Sequence, residues 1–284
     1  MNHDPLLYEH SPALGRRRKF SLTGSLPLAF VALLLLVVLV PHWFTHYLPD
    51  DMDMDAILQP PSLHHLFGTD ALGRDLYSRV VYGSALSLSI GLGATVLATA
   101  GGIVLGLLTS LGPRWLRQPL VHLLDILLAF PELLLALLIV AVLGRGPSNT
   151  LLAVGLSGIA SYARLLRAQV LQVKLSGYVQ QAVVLGERRT TIVLRHILPN
   201  ALRPLLVVAT LGVGQALLNA SSLSFLGLGV VPPVAEWGAL LADGRDFLDT
   251  APWISLLPAS VVALSVIALT LAGRRIQSRL TQGS

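Results

Sequence analysis

Residues 84–111 read SALSLSIGLGATVLATAGGIVLGLLTSL, a stretch without one Asp, Glu, Lys or Arg. A hydrocarbon core of about 30 Å is crossed by roughly 20 apolar residues of helix, so this segment is long enough to span a bilayer. Glycines recur in it at Gly91, Gly93, Gly101, Gly102 and Gly106. Helices in lipid associate through close packing, and small residues let their backbones approach. The stretch predicts a membrane helix seated tightly against neighbours. Gly102 is a candidate helix-packing position that would also let a pore wall slide.

Five further apolar runs lie on either side: Leu22–Phe44, Pro119–Leu143, Thr150–Gln172, Ala201–Leu223 and Trp253–Ala272. The composition agrees, with 54% hydrophobic residues, 12% charged residues and a mean hydropathy of +0.71, against about 25% charged in soluble domains. The expected fold is all-α, a polytopic membrane helix bundle of about six transmembrane helices in one domain covering residues 22–272. An N-terminal segment (1–21), an external loop (about 45–83), a cytoplasmic loop (about 173–200) and a tail (273–284) complete the plan.

The absence of cysteine excludes disulfides, thiolate catalysis and Cys-based metal sites. The net charge of +5 does not point to nucleic acid, because the basic residues sit in short loops between apolar runs. Their distribution sets an orientation instead. Arg16, Arg17, Arg18 and Lys19 precede the first run, and Arg114 and Arg117 follow the second. Lys174, Arg188, Arg189, Arg195 and Arg203 follow the fourth, and Arg274, Arg275 and Arg279 follow the sixth. The alternate loops carry Asp50, Asp51, Asp53, Asp55, Asp70, Asp75, Glu236, Asp243, Asp246 and Asp249 with only four arginines. Basic loops stay inside, so six spans predict both termini in the cytoplasm. Arg17-Arg18-Lys19-Phe20 is similar to a twin-arginine export signal. The run behind it is longer than a signal core and no small-residue cleavage site follows Val40, so it reads as an uncleaved anchor.

A P-loop needs a Lys after Gly and before Ser or Thr, to reach the phosphates and their metal. The two lysines precede Phe20 and Leu175, so nucleotide energy has to come from another polypeptide. The longest basic loop holds Tyr178-Val179-Gln180-Gln181-Ala182-Val183-Val184-Leu185-Gly186, then Ile192, then His196-Ile197-Leu198-Pro199-Asn200. This pattern predicts a short helix, a Gly turn and a second helix halted before the proline. Such a pair suits docking into a partner's groove and is equally compatible with a plain basic connector.

The loop resembles the "EAA" loop of ABC importer permeases, a Glu-Ala-Ala signature followed by Gly and a closing Leu-Pro. The chain around it resembles the dipeptide, oligopeptide and nickel permease family, and specifically its C-type subunit. The matching segments are His65-Leu66-Phe67-Gly68-Thr69-Asp70-Ala71-Leu72-Gly73-Arg74-Asp75, Ser78-Arg79-Val80-Val81-Tyr82-Gly83, Asp125-Ile126-Leu127-Leu128-Ala129-Phe130-Pro131 and Tyr162-Ala163-Arg164. Leu223-Ser224-Phe225-Leu226-Gly227-Leu228-Gly229, Pro232-Pro233, Trp237-Gly238 and Ala251-Pro252-Trp253 follow in the same order.

The resemblance implies an ABC type I importer permease fold and a pore-forming subunit that is not an enzyme. The implied cargo is a di- or oligopeptide, with nickel or a metal chelate as the alternative. The implied partners are a homologous second permease, two cytoplasmic ATPase subunits that bind the ATP and magnesium, and an extracytoplasmic solute-binding protein, with the lipid bilayer around them and no nucleic acid. The chain itself would hold no cofactor. Coupling to the ATPase would fall to Gln180, Gln181, Ala182, Gly186, His196 and Pro199. Gln180 and Gln181 depart from the signature, keeping hydrogen bonding and losing negative charge. The tail departs too, reading Ala272-Gly273-Arg274-Arg275 where the family often has a Gly-Asp…Arg-Asp stretch.

Asp125 and Glu132 stand seven apart on one expected helix and so would share a face. Ionisable residues within the membrane suggest function. Asp125, nearer the interface, is expected to bond a neighbouring helix, whereas Glu132 faces either the pore or a buried partner. The acidic run Asp50–Asp55 reads as a solvated loop, and adjacent His64 and His65 do not suit one metal ion. Gly155-Leu156-Ser157-Gly158 is similar to the serine motif of rhomboid proteases. A nucleophilic Ser needs a base within reach, and 253–272 contains no His, so helix packing is the better account. A self-powered secondary transporter would show inverted repeats with sites at the midplane, and no internal repeat is evident.

Overall fold

The computed structural model describes residues 22–281 and is built of helices, with no strand among the described residues. The charged residues before Leu22, the twin-arginine pair among them, lie outside it. In chain order the helices are α1 (Leu22–Leu39), α2 (Leu76–Leu111), α3 (Arg114–Ala129), α4 (Glu132–Leu143), α5 (Pro147–Lys174), α6 (Gly177–Val184), α7 (Arg189–Thr191), α8 (Leu198–Phe225), α9 (Trp237–Asp243) and α10 (Trp253–Thr281).

Four helical stretches are long and apolar enough to cross a membrane: Leu76–Leu111, Pro147–Lys174, Arg189–Phe225 and Trp253–Arg275. The expected third span is not one helix. It is α3 and α4, bent by 99° between Ala129 and Glu132, and the pair makes a fifth crossing only as a broken span. Pro131 has no N–H to donate and drives the residue before it out of helical backbone. Phe130 accordingly sits at φ −91°, ψ 139°. The expected first span is also shorter than its apolar run. Helix α1 stops at Leu39, before Pro41. The all-α bundle of about six apolar segments thus stands as four long helices, a broken pair and the short apolar α1.

Helix α2 begins at Leu76, well before Ser84 and inside the stretch assigned to the external loop. Asp75 starts it by accepting from the Ser78 N–H at 2.7 Å through Oδ2, an N-cap that satisfies an otherwise orphaned donor. Gly112-Pro113 ends it. The glycines of α2 serve as expected of close packing. A Cβ on Gly102 would lie 2.4 Å from the Tyr162 Cβ of α5, and one on Gly93 would lie 2.6 Å from the Leu151 side chain. Helices α2 and α5 form the central pair, with α4 and α8 packed on their outer halves around Ile90, Ala94, Ala136, Val140, Val154 and Leu223. At the opposite end Leu166, Val170, Val179, Ala182, Ile197 and Leu205 tie α6 to α5 and α8.

The second helix of the basic loop is not halted at Pro199. From Arg189 the chain runs into α8 through a π-helical segment, Ile192–Ile197, in which the Leu198 N–H reaches the Val193 carbonyl. The wider π turn accommodates the missing Pro199 N–H. The Asn200 side chain donates to the His196 carbonyl at 2.7 Å. The tail from Gly273 continues α10 as helix to Thr281.

Candidate translocation cavity and coupling helix

A cavity of about 430 Å³ opens between α2, α4, α5, α8 and α10, with Glu132, Tyr162, Gly212, Gln215, Thr270 and Arg274 among its walls. Its volume falls in the range of small-molecule sites. Pro131, by breaking the chain, makes Glu132 the first residue of α4 and puts it at the cavity's edge. The Glu132 Oε1 accepts from Asn219 Nδ2 at 3.1 Å, and Asn219 Oδ1 accepts from Gln215 Nε2 at 3.1 Å. No ion pair to Glu132 exists among the described residues. The Tyr162 ring sits in a slot between two glycines of different helices. A Cβ on Gly212 would fall 1.8 Å from its hydroxyl oxygen, and one on Gly102 would strike its Cβ.

Asp125 does not share a face with Glu132, because the break separates them. It is exposed on α3 and accepts from Arg164 Nη2 of α5 at 2.8 Å. Ser157 donates to the Val154 carbonyl of its own helix at 2.9 Å, and Gly155 and Gly158 admit Leu97 and Ala98 of α2. This is a packing surface between α5 and α2.

The second surface is α6. Val179 and Ala182 are buried against the bundle, so Ala182 faces this chain's own core. Gln180 and Gln181 are exposed, and Gln180 Nε2 donates to the Leu175 carbonyl at 3.2 Å. Gly186 turns the chain at φ +77°, a left-handed conformation that glycine adopts at least cost. His196 Nε2 lies 3.1 Å from Glu187 Oε2, closing the turn, and Pro199 lies in the first turn of α8. The residues that project are ones the signature did not single out. Val183 is 59% exposed, Val184 86% and Leu185 81%, with Tyr178 beside them. Three consecutive apolar residues in a polar loop were the available signal.

A third cluster lies at the far end of the bundle. Arg79, fully buried, donates from Nη1 to the Pro49 carbonyl and from Nη2 to the Pro233 carbonyl, each at 3.1 Å. Asp70 accepts from Arg74 Nε at 2.7 Å and from the N–H groups of Leu72 and Arg74. His65 Nδ1 is 2.9 Å from Asp75 Oδ1. Glu236 accepts from the Gly238 and Ala239 N–H groups and from Ser87, while the Trp237 indole donates to the Val80 carbonyl at 2.8 Å.

The described residues form a multi-helix bundle with a largely apolar cavity that carries a few polar groups, and a short helix projects at one end. Residues 102–283 match the family described as binding-protein-dependent transport system inner membrane component. The di/tripeptide transport system permease protein DppC of Pseudomonas aeruginosa is 40% identical over 259 residues, covering 89% of this chain and 86% of that protein. The dipeptide transport system permease protein DppC of Alkalihalophilus pseudofirmus is 41% identical over 223 residues, covering 78% and 73%. The glutathione transport system permease protein GsiD of Escherichia coli is 39% identical over 266 residues, covering 93% and 87%.

The chain belongs to the binding-protein-dependent transport system inner membrane component family. It is a multi-pass permease subunit of an ABC importer, and not itself an enzyme. Among solved structures, an amino acid ABC transporter with histidines superposes with a TM-score of 0.58 at 17% identity, over 73% of this chain and 95% of that one. The MetNI methionine ABC transporter, in an inward-facing conformation, gives 0.57 at 17% identity, over 70% and 94%. These two share the fold.

Proposed function

We propose that this chain forms half of the pore of an ATP-driven importer of short peptides. It pairs with a homologous permease, rests through α6 on two cytoplasmic ATPase subunits that bind the ATP and magnesium, and receives cargo from an external binding protein. The observation that carries this reading is the build of α6. Its inner face is fixed to the bundle by Val179 and Ala182, while Val183, Val184 and Leu185 stand in water. A helix that presents an apolar face suits a groove on a partner, and a rimmed apolar patch marks an interaction site. Gln180, Gln181 and Gly186 belong to this docking element. His196 and Pro199 hold its return to α8.

The same core explains transmission. Leu166 and Val170 of α5 and Leu205 of α8 pack on α6, and both helices continue to the cavity walls at Tyr162 and Gly212. Closure of the ATPases displaces α6, and the packed core carries the displacement to the path. Nothing covalent happens to the cargo. Glu132 faces that path, where its unpaired carboxylate suits a peptide's ammonium group, and Asp125 braces α3 on α5. Gly102 sets the distance between α2 and α5. Helix α1 is read as the sixth crossing. Leu34 packs on the bundle while Leu33, Leu35 and Leu36 face outward. Both termini then lie on the cytoplasmic side, as the basic loops require.

The relatives' peptide and glutathione cargoes favour peptide over nickel. The test is ATP hydrolysis by the purified complex with its binding protein. Dipeptides or tripeptides are expected to stimulate it, and stimulation by a nickel chelate alone would redirect the cargo.

A further inference from the structure

At the end of the bundle that carries α6, α3 packs along α2 and α5 and is turned 99° from α4. Leu124, Leu127 and Leu128 pack on Leu105, Ala160 and Ala163 of α2 and α5. Leu123 and Ile126 are exposed on the outer side, and Trp115 is 76% exposed near the helix start. An amphipathic helix with Trp at its edge belongs at the boundary between headgroups and acyl chains.

Two cavities lie along the inner side of α3. In one, of about 350 Å³, Asp125 is paired with Arg164 at 2.8 Å, and Arg167, which borders both cavities, takes no share of that carboxylate. The other, of about 330 Å³, is lined by Ser110, Arg117, Gln118, His122, Arg167 and Leu171 among others and contains no carboxylate. Neither Arg117 nor Arg167 forms a hydrogen bond or ion pair with a described residue. The Thr109 and Ser110 hydroxyls are spent on carbonyls of their own helix, Leu105 and Gly106. The cavity therefore offers two unmatched guanidinium forks, with an imidazole and an amide beside them. Arginine pairs with phosphate through parallel N–H bonds, and basic pockets between membrane helices at this depth hold lipid headgroups.

We propose that the cleft between α2, α3 and α5 binds the phosphate of an anionic glycerophospholipid through Arg117 and Arg167, with its acyl chains lying along Leu123 and Ile126. This site stands apart from the transport reading and does not depend on the cargo. The shared chemistry is a phosphate anion, and the experiment separates lipid from free phosphate.

The complete purified transporter, delipidated in detergent, is titrated with phosphatidylglycerol, phosphatidylcholine or inorganic phosphate and followed by native mass spectrometry. Phosphatidylglycerol is expected to stay bound where phosphatidylcholine does not. Exchanging both arginines (R117Q with R167Q) should weaken its retention about thirtyfold. The pair R117K with R167K should keep most of it, and Arg245→Gln at the other end of the bundle should keep all of it. Equal retention by the double Gln variant, or equal retention of phosphatidylcholine, overturns the proposal. So does displacement of the lipid by millimolar inorganic phosphate, which would make this a free-anion site. A photoactivatable phosphatidylglycerol on the unmodified transporter is expected to label segments 114–123 and 164–171. Labelling confined to other segments overturns the assignment without any variant.

Discussion

The two ends of the bundle are built to opposite rules. At the end holding residues 45–79 and 232–254, charged side chains are buried and matched within the chain. Arg79, Asp70, Arg74, Asp75 and Glu236 all find carbonyls, amides or counter-charges there. At the end holding α6, apolar side chains are exposed and unmatched, with Val184 and Leu185 more than four-fifths accessible. The first arrangement is complete in one polypeptide, so it acts as a rigid frame. The second leaves an apolar surface open, which is what the proposed contact with another polypeptide would cover. Charge density is thus a poor guide to the proposed contact. The most charged motif, from His65 to Arg79, is matched within the chain, and the docking element proposed above is an apolar helix end.

That contrast orders the expected effects of substitution on the stability of this chain. Arg79→Met strands the Pro49 and Pro233 carbonyls and removes one of the two cations beside Asp70, which keeps Arg74. Removing one partner of a buried charged network costs about 3–5 kcal/mol, so thermal unfolding in detergent should show the steepest loss here. Gly102→Ala forces a Cβ against Tyr162 and its backbone. Overpacking costs about 1–3 kcal/mol, and the midpoint should fall measurably but less. Glu132→Gln keeps an acceptor for Asn219 and loses the charge facing the cavity. Peptide uptake should drop about fivefold, the difference between a charged and a neutral hydrogen bond, with little change in melting. Arg164→Gln breaks an exposed pair worth about 0.2–1 kcal/mol. A large loss there would show that α3 depends on that pair and would blur the distinction between frame and surface.

The smallest effect on stability is expected for Val184→Asp with Leu185→Asp. Surface changes of this kind usually stay within about 0.5 kcal/mol. The same pair of substitutions should abolish co-purification of the ATPase subunits. A folded variant that still binds them would remove α6 from the contact, and a variant that unfolds would show that the exposed apolar face supports the bundle itself.

The sequence made the bundle legible where one local rule decides. The Gly-rich run 84–111 is a tightly packed membrane helix because its length and small residues permit little else. The loop from Tyr178 to Pro199 is helix, Gly turn and helix because Gly186 and the apolar spacing are local signals. The misreadings arose where a distant residue or a single proline decides. Pro119–Leu143 reads as one apolar run, yet Pro131 bends it by 99°. Helix α2 extends back to Leu76 behind the Asp75 N-cap, a local signal, whereas its buried Arg79 is held by carbonyls 30 and 154 residues away, which no window around Arg79 contains. Glu132 and Asp125 were separable only once the break was known. Val183, Val184 and Leu185 went unremarked because the family signature drew attention to the residues on either side.

The central claim is that this permease moves its cargo only when ATPase subunits act on it from the α6 end. Proteoliposomes holding the chain, its partner permease and the ATPase subunits, with ATP on the α6 side and peptide-loaded binding protein on the other, test it directly. Peptide uptake should require ATP and all the subunits, and should vanish with Val184→Asp and Leu185→Asp together. Uptake that persists with the ATPase subunits left out would contradict the account.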